Sequence, residues 1–272
     1  MSFLDLRVIF GSIHLPDPPC PLALAASVTL LILSEASSFY FGSASFKATS
    51  SFILLLAAFN RASSNFDILN PTSLLLQENR QAVCVMLGLA FNVIGDILLI
   101  PSKAEYHQTP GTSKKAEEGS SPRFKAGMCS FALAHFAYIA AFTSTTSIKT
   151  FRLADFAMTL VFGALLTDWL GLLKKELEYN SWFDVPESMR GMVMAYVVII
   201  VSMVATATAT DSGYQKIVGA WFFMFSDLCV ASTTFNVENE NSQKAGGRPE
   251  WKAASVGWIF YYGAQLVIAG CI

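Results

Sequence analysis

The sequence predicts an all-α, polytopic transmembrane helical bundle of about eight spans, on three observations. Of 272 residues, 53% are hydrophobic and only 14% charged, too little polar surface to cover a soluble globule. The apolar residues gather in runs near twenty, the length a helix needs to cross a bilayer. Inside those runs sit isolated carboxylates, which are costly in lipid and so mark faces turned toward protein. With a net charge of −2 and no basic stretch interleaved with aromatics, nothing favours nucleic-acid binding. The five cysteines, Cys20, Cys84, Cys129, Cys229 and Cys271, are isolated and odd in number, so neither a disulfide framework nor a thiolate metal site is indicated.

In chain order, residues 1–21 read as an N-terminal tail with one weak apolar patch at 8–13 and a proline-rich stretch at 16–21, not as a cleaved signal peptide. Residues 22–272 read as one transmembrane domain. Its spans fall at about 22–42, 46–60, 80–100, 125–145, 152–173, 189–209, 214–235 and 251–270, the second being the shortest. Polar interruptions lie at 61–79, 102–123, 174–188 and 236–250. The second of these, with its TPGTSKKAEEGSSP run, offers no apolar face to bury and is expected to be disordered. Eight spans place twelve of the 18 lysines and arginines on one side and six on the other, which puts the richer side in the cytosol and both termini outside or in the lumen. Asp96, Asp168, Glu35, Asp227 and Lys47 then all lie in the cytosolic half of the bilayer, with His135 and Tyr262 near mid-depth.

The stretch 88–101, GLAFNVIGDILLIP, carries the most informative pattern. At about 100° per residue, Gly88, Asn92, Gly95 and Asp96 share one arc of a helix. The stretch 219–230, GAWFFMFSDLCV, repeats it: Gly219, Phe222, Ser226 and Asp227 match Gly88, Phe91, Gly95 and Asp96 in order and spacing. Asp96 and Asp227 lie 131 residues apart, each in the third span of a set of four, as a duplicated four-helix unit would place them.

Either aspartate could simply hydrogen-bond a neighbouring helix. An aspartate in a membrane costs a few kcal/mol, however, and one interhelical hydrogen bond returns about 0.6–2. Two carboxyls in low dielectric divide naturally into a proton donor and an ionised partner. In GMCSFALAHFAYIAAF, Gly127, Ala134, His135 and Tyr138 share one arc, so His135 is a candidate to orient water or relay a proton, although a lone helix histidine is more often a packing residue. In WIFYYGAQLVIAG, Trp258, Tyr262, Gln265 and Ala269 recur at helical spacing, and Tyr262 and Gln265 are candidates to line the same cavity. Lys47, in SFKATSS at a span entrance, either snorkels to the interface or offers a counter-charge to a phosphate or an aspartate. Asn92, Tyr138 and Tyr196 complete the candidates for substrate contact, while Glu35 and Asp168 sit close enough to span ends to reach water. His14 and His107 lie outside the spans, so no three-histidine metal centre can form within the membrane; a centre of Asp96, Asp227 and His135 is the one metal-binding arrangement left open.

These blocks, in order, resemble the YhhN-type integral-membrane lysoplasmalogenases over about 47–268: the span-entry lysine in FKATSS, GLAFNVIGDILL, GMCSFALAHFAYIAAF, the tyrosine in MAYVVII, GAWFFMFSDLCVASTTF and FYYGAQLVI. The sequence departs from the family pattern in placing Ala48, not proline, after Lys47, and in a longer 102–123 loop. The resemblance implies hydrolysis of the vinyl ether of a lysoplasmalogen to a fatty aldehyde and glycerophosphoethanolamine or glycerophosphocholine, without a cofactor or a metal. It implies Asp96, Asp227 and His135 as the catalytic group, and Lys47, Asn92, Tyr138, Tyr196, Tyr262 and Gln265 as substrate contacts. The partners would be a lysophospholipid and the surrounding membrane lipids, in the endoplasmic reticulum or another endomembrane of a eukaryote or the plasma membrane of a bacterium. Rival readings are a proton-coupled small-molecule or lipid transporter, a metal-dependent lipid amidase or lipase, and a membrane scaffold.

Overall fold

In a computed structural model, residues 11–107, 121–147, 149–172, 183, 185–210, 213–235 and 251–272 are described. Ten α-helices and no strand occur among them: α1 (Cys20–Ala36), α2 (Tyr40–Asn65), α3 (Pro71–Leu75), α4 (Arg80–Leu98), α5 (Lys103–Tyr106), α6 (Pro122–Ser144), α7 (Leu153–Trp169), α8 (Glu187–Ala209), α9 (Tyr214–Phe235) and α10 (Trp251–Ala269). The eight expected spans fall on the eight longer helices. Among the described residues, five stretches are long and apolar enough to cross a membrane: Tyr40–Asn65, Gln77–Leu98, Pro122–Ser144, Glu187–Ala209 and Tyr214–Phe235. The chain is therefore a multi-pass membrane protein, with five crossings supported by length and composition in place of the eight expected.

The largest difference concerns α2. Expected to be the shortest span, it is the longest, at 26 residues. Its first turns, YFGSASFKATSS, are rich in hydroxyls, and that of Ser50 donates back to the carbonyl of Phe46. Lys47 consequently lies two turns inside the helix, not at its mouth. Elsewhere local chemistry sets the starts. Ser121 accepts the Phe124 amide, with Pro122 in the first turn of α6. Ser102 and Glu105 form a capping box around α5, where 102–123 was expected to have no structure; most of that loop, the tail at 1–10 and the stretch 236–250 lie outside the described residues.

The eight longer helices alternate in direction. Tyr40 at the start of α2 bonds Pro101 beyond the end of α4, and Arg123 at the start of α6 bonds Ile100. At the opposite end, Lys216 in the first turn of α9 donates to Thr145 just past α6, and Arg152 before α7 donates to Thr208 near the end of α8. The closest pairings are α4 with α6 and α9 with α10. Both rely on a glycine of the repeated motif: a Cβ on Gly88 would enter the Tyr138 ring, and one on Gly219 would lie 2.6 Å from Ile268 Cγ1. Each motif helix thus packs on the next long helix of the chain. The larger core runs from Leu31, Leu54 and Leu89 to Tyr138, Phe223 and Ile268, and a smaller one gathers Leu170, Leu172, Phe183, Val185, Met189 and Val193. Outward faces are apolar too, with Phe52, Leu56, Phe59, Phe136, Val161 and Leu165 exposed where lipid chains would lie.

Candidate active site

Asp96 ends the small-residue face of α4 and is 2% exposed. Its neighbour Gly95 allows close packing of α6, since a Cβ there would stand 2.7 Å from Phe131 Cζ. Three groups converge on the carboxyl. The Ser51 hydroxyl, one turn after Lys47 on α2, donates to Oδ2 at 2.5 Å, and the Tyr261 hydroxyl of α10 donates to the same oxygen at 2.7 Å. Lys47 Nζ faces Oδ1 at 3.6 Å. A charge so deeply buried persists only with such pairing and hydrogen bonding.

Asp227, on α9, has different company. The Tyr196 hydroxyl of α8 donates to its Oδ2 at 2.7 Å, and His135 Nε2 lies 3.0 Å from that hydroxyl and 3.5 Å from the carboxylate. Ser226 is 3.4 Å from Oδ1. The imidazole is fully enclosed, edge-on to Phe223 at 4.8 Å between centroids. The Asp227 side chain is 22% exposed.

The two clusters are built alike. Each aspartate stands on the third helix of its set of four, meets a side chain from the second helix of that set (Lys47 and Ser51, or Tyr196), and takes its remaining ring partner from the fourth helix of the other set (Tyr261, or His135).

Both acids open onto one cavity of about 320 Å³. It lies toward the end of the bundle where α4, α7 and α9 finish and α6, α8 and α10 begin, and Lys47, Asp96 and Asp227 all line it. Besides Lys47, Asp96, Tyr196, Asp227 and Tyr261, its walls are mostly apolar, with Phe131, Leu166, Val197, Ile200, Val201, Met224 and Trp258 among them. That lining suits a hydrocarbon chain with one reactive polar point.

The structure separates the remaining candidates. His135 joins Asp227 but not Asp96, so the expected trio of two acids around one histidine becomes two clusters sharing a cavity. Lys47 faces Asp96, one of the two partners expected for it, and also lines the cavity. Asn92, Tyr138, Tyr262 and Gln265, expected to touch substrate, do not line the cavity; they are buried behind it, Asn92 Nδ2 donating to Tyr138 at 2.8 Å and Tyr262 donating to the Lys47 carbonyl at 3.0 Å. Glu35 is buried and accepts from Ser43, and Asp168 is exposed. Among the described residues no group of three or more His, Cys, Asp or Glu is placed to hold a metal ion, so Asp96, His135 and Asp227 do not form the centre considered from the sequence. Two site residues were not anticipated. Ser51 was signalled by its i+4 spacing from Lys47, and Tyr261 only by being next to Tyr262.

Among protein-family models, that of the YhhN family matches residues 42–272. No curated protein matches the chain, and no solved structure does.

Proposed function

Because the chain belongs to the YhhN family, we propose that it is a membrane hydrolase of the lysoplasmalogenase type, cleaving the vinyl ether of a lysophospholipid. The observation that carries this reading is the pair of aspartates with unlike partners on one mostly apolar cavity. Vinyl ether hydrolysis begins with a proton delivered to the outer alkene carbon. That leaves an oxocarbenium-like cation, which is stabilised by a nearby negative charge and captured by water. Two carboxyl groups in different protonation states meet both needs, as in glycosidases.

The surroundings suggest which is which. Asp96 faces an ammonium and two hydroxyl donors, partners that complement a carboxylate; it is the group we assign to cation stabilisation. Asp227 faces one tyrosine hydroxyl and an imidazole that can return a proton, and it reaches the cavity; we assign it as the acid, with His135 and Tyr196 reloading it. The alkenyl chain occupies the apolar walls, and the phosphate head lies toward the cavity's end of the bundle. We place that end at the cytosolic face, following the excess of lysine and arginine there.

The test is aldehyde release from a defined lysoplasmalogen by purified protein in nanodiscs. Wild type should release aldehyde, and Asp96→Asn and Asp227→Asn, still folded, should not. Proton-coupled flux without aldehyde from any ether lipid would replace this reading with transport.

A further inference from the structure

We propose that Asn92, Tyr138 and Gln265 form a buried water site directly behind Asp96, and that it supplies the water the hydrolysis consumes. Its use rests on the ether-hydrolase reading; its existence does not. Asn92 precedes Asp96 by one turn on α4, and Gln265 follows Tyr261 by one turn on α10. The two helices alternate in direction and are joined at their site ends by the 2.7 Å bond from Tyr261 to Asp96. Both amides therefore lie about 6 Å deeper, on the same side of that bond. Tyr138 reaches the same level from α6, with its hydroxyl 2.8 Å from Asn92 Nδ2.

All three side chains are fully buried, yet Asn92 Oδ1, Gln265 Oε1 and Gln265 Nε2 have no hydrogen-bond partner among the described residues. Amide atoms enclosed in a membrane bundle do not stay unpaired. A direct bond from Gln265 Nε2 to Asn92 Oδ1 would satisfy two of these atoms and leave Gln265 Oε1 orphaned. A water donating to Asn92 Oδ1 and Gln265 Oε1 and accepting from Gln265 Nε2 satisfies all three, the usual coordination of a buried water. His135 Nδ1, also unpaired, lies one turn before Tyr138 and extends the polar layer toward the Asp227 cluster.

The arrangement separates two reactants that do not mix. A lipid chain filling the cavity would exclude water from that side, whereas water stored behind Tyr261 reaches the acids from the interior. After Asp227 has protonated the outer alkene carbon, the water oxygen bonds to the carbon bearing the ether oxygen, and one water proton passes through the polar layer to restore Asp227. The hemiacetal then breaks its bond to the glycerol oxygen. The hemiacetal hydroxyl proton goes to that oxygen, leaving an aldehyde and a free glycerol hydroxyl.

Millisecond radiolytic hydroxyl labelling of the full chain in nanodiscs tests the site. Tyr138 and Phe142 are equally buried; Tyr138 should be modified at least about tenfold faster, because bound water is the local source of radicals. Gln265→Met, or Asn92→Leu should the first variant not fold, should abolish that difference. In aldehyde release the same variant should lower kcat at least about tenfold and change KM less than twofold. Equal labelling of Tyr138 and Phe142 in wild type would overturn the water site, and an unchanged kcat would overturn its role as supplier. A wild type that labels Tyr138 but releases no aldehyde sinks the hydrolase reading and leaves the site standing.

Discussion

Removing the ammonium of Lys47 should destabilise the protein more than removing the charge of Asp96, and the two losses should not add. The pair is separated by 3.6 Å, with side chains 17% and 3% exposed. At an effective dielectric near 20, two unit charges at that distance attract by about 4–5 kcal/mol. The water reached by Lys47 screens part of this, leaving about 2–3 kcal/mol. In Lys47→Met the carboxylate keeps Ser51 and Tyr261 but faces no cation in a buried position, a cost of about 3 kcal/mol. In Asp96→Asn the lysine is partly exposed and can turn toward the interface, so the loss is about 1–2 kcal/mol. The double variant should therefore be about 2 kcal/mol more stable than the sum of the single losses predicts. Unfolding titrations of the four proteins in mixed micelles measure this coupling. Additivity within about 0.5 kcal/mol would refute the claim that Lys47 is Asp96's partner, and with it the assignment of Asp96 as the ionised acid.

Tyr196→Phe removes the hydroxyl between His135 and Asp227 while keeping the ring, and should lower aldehyde release by about tenfold to a hundredfold with little change in melting temperature; activity within twofold of wild type would exclude a relay. Tyr261→Phe should weaken turnover less, because Ser51 and Lys47 still face Asp96, and steady-state kinetics will rank the two. Gly95→Leu should destabilise by about 1–3 kcal/mol or more, since even a Cβ there meets Phe131, and thermal unfolding in detergent will read that loss.

Much of the site was legible because helical period and membrane cost act together. A carboxylate in an apolar run must face protein, so Gly88, Asn92, Gly95 and Asp96 already defined a buried face, and the match to Gly219, Ser226 and Asp227 defined a second. What remained hidden depends on which helix neighbours which. Nothing in the order of residues says that His135 meets Asp227 but not Asp96, because that follows from α6 packing on α8. The periodic arc through Trp258, Tyr262 and Gln265 did not single out Tyr261; helix rotation, not spacing, brings that neighbour of Tyr262 to the acid. The second span is expected at about 46–60, yet α2 runs from Tyr40 to Asn65, because hydropathy does not register polar and small residues that pack inside the bundle, as Gly42, Ser43 and Ala62 do.

The reading is tested most directly by aldehyde release from a lysoplasmalogen, compared among wild type, Asp96→Asn and Asp227→Asn at matched folded protein. Release by wild type and none above background by either variant is the predicted result. Turnover by both variants near the wild-type rate would contradict a reaction carried by these two carboxyl groups.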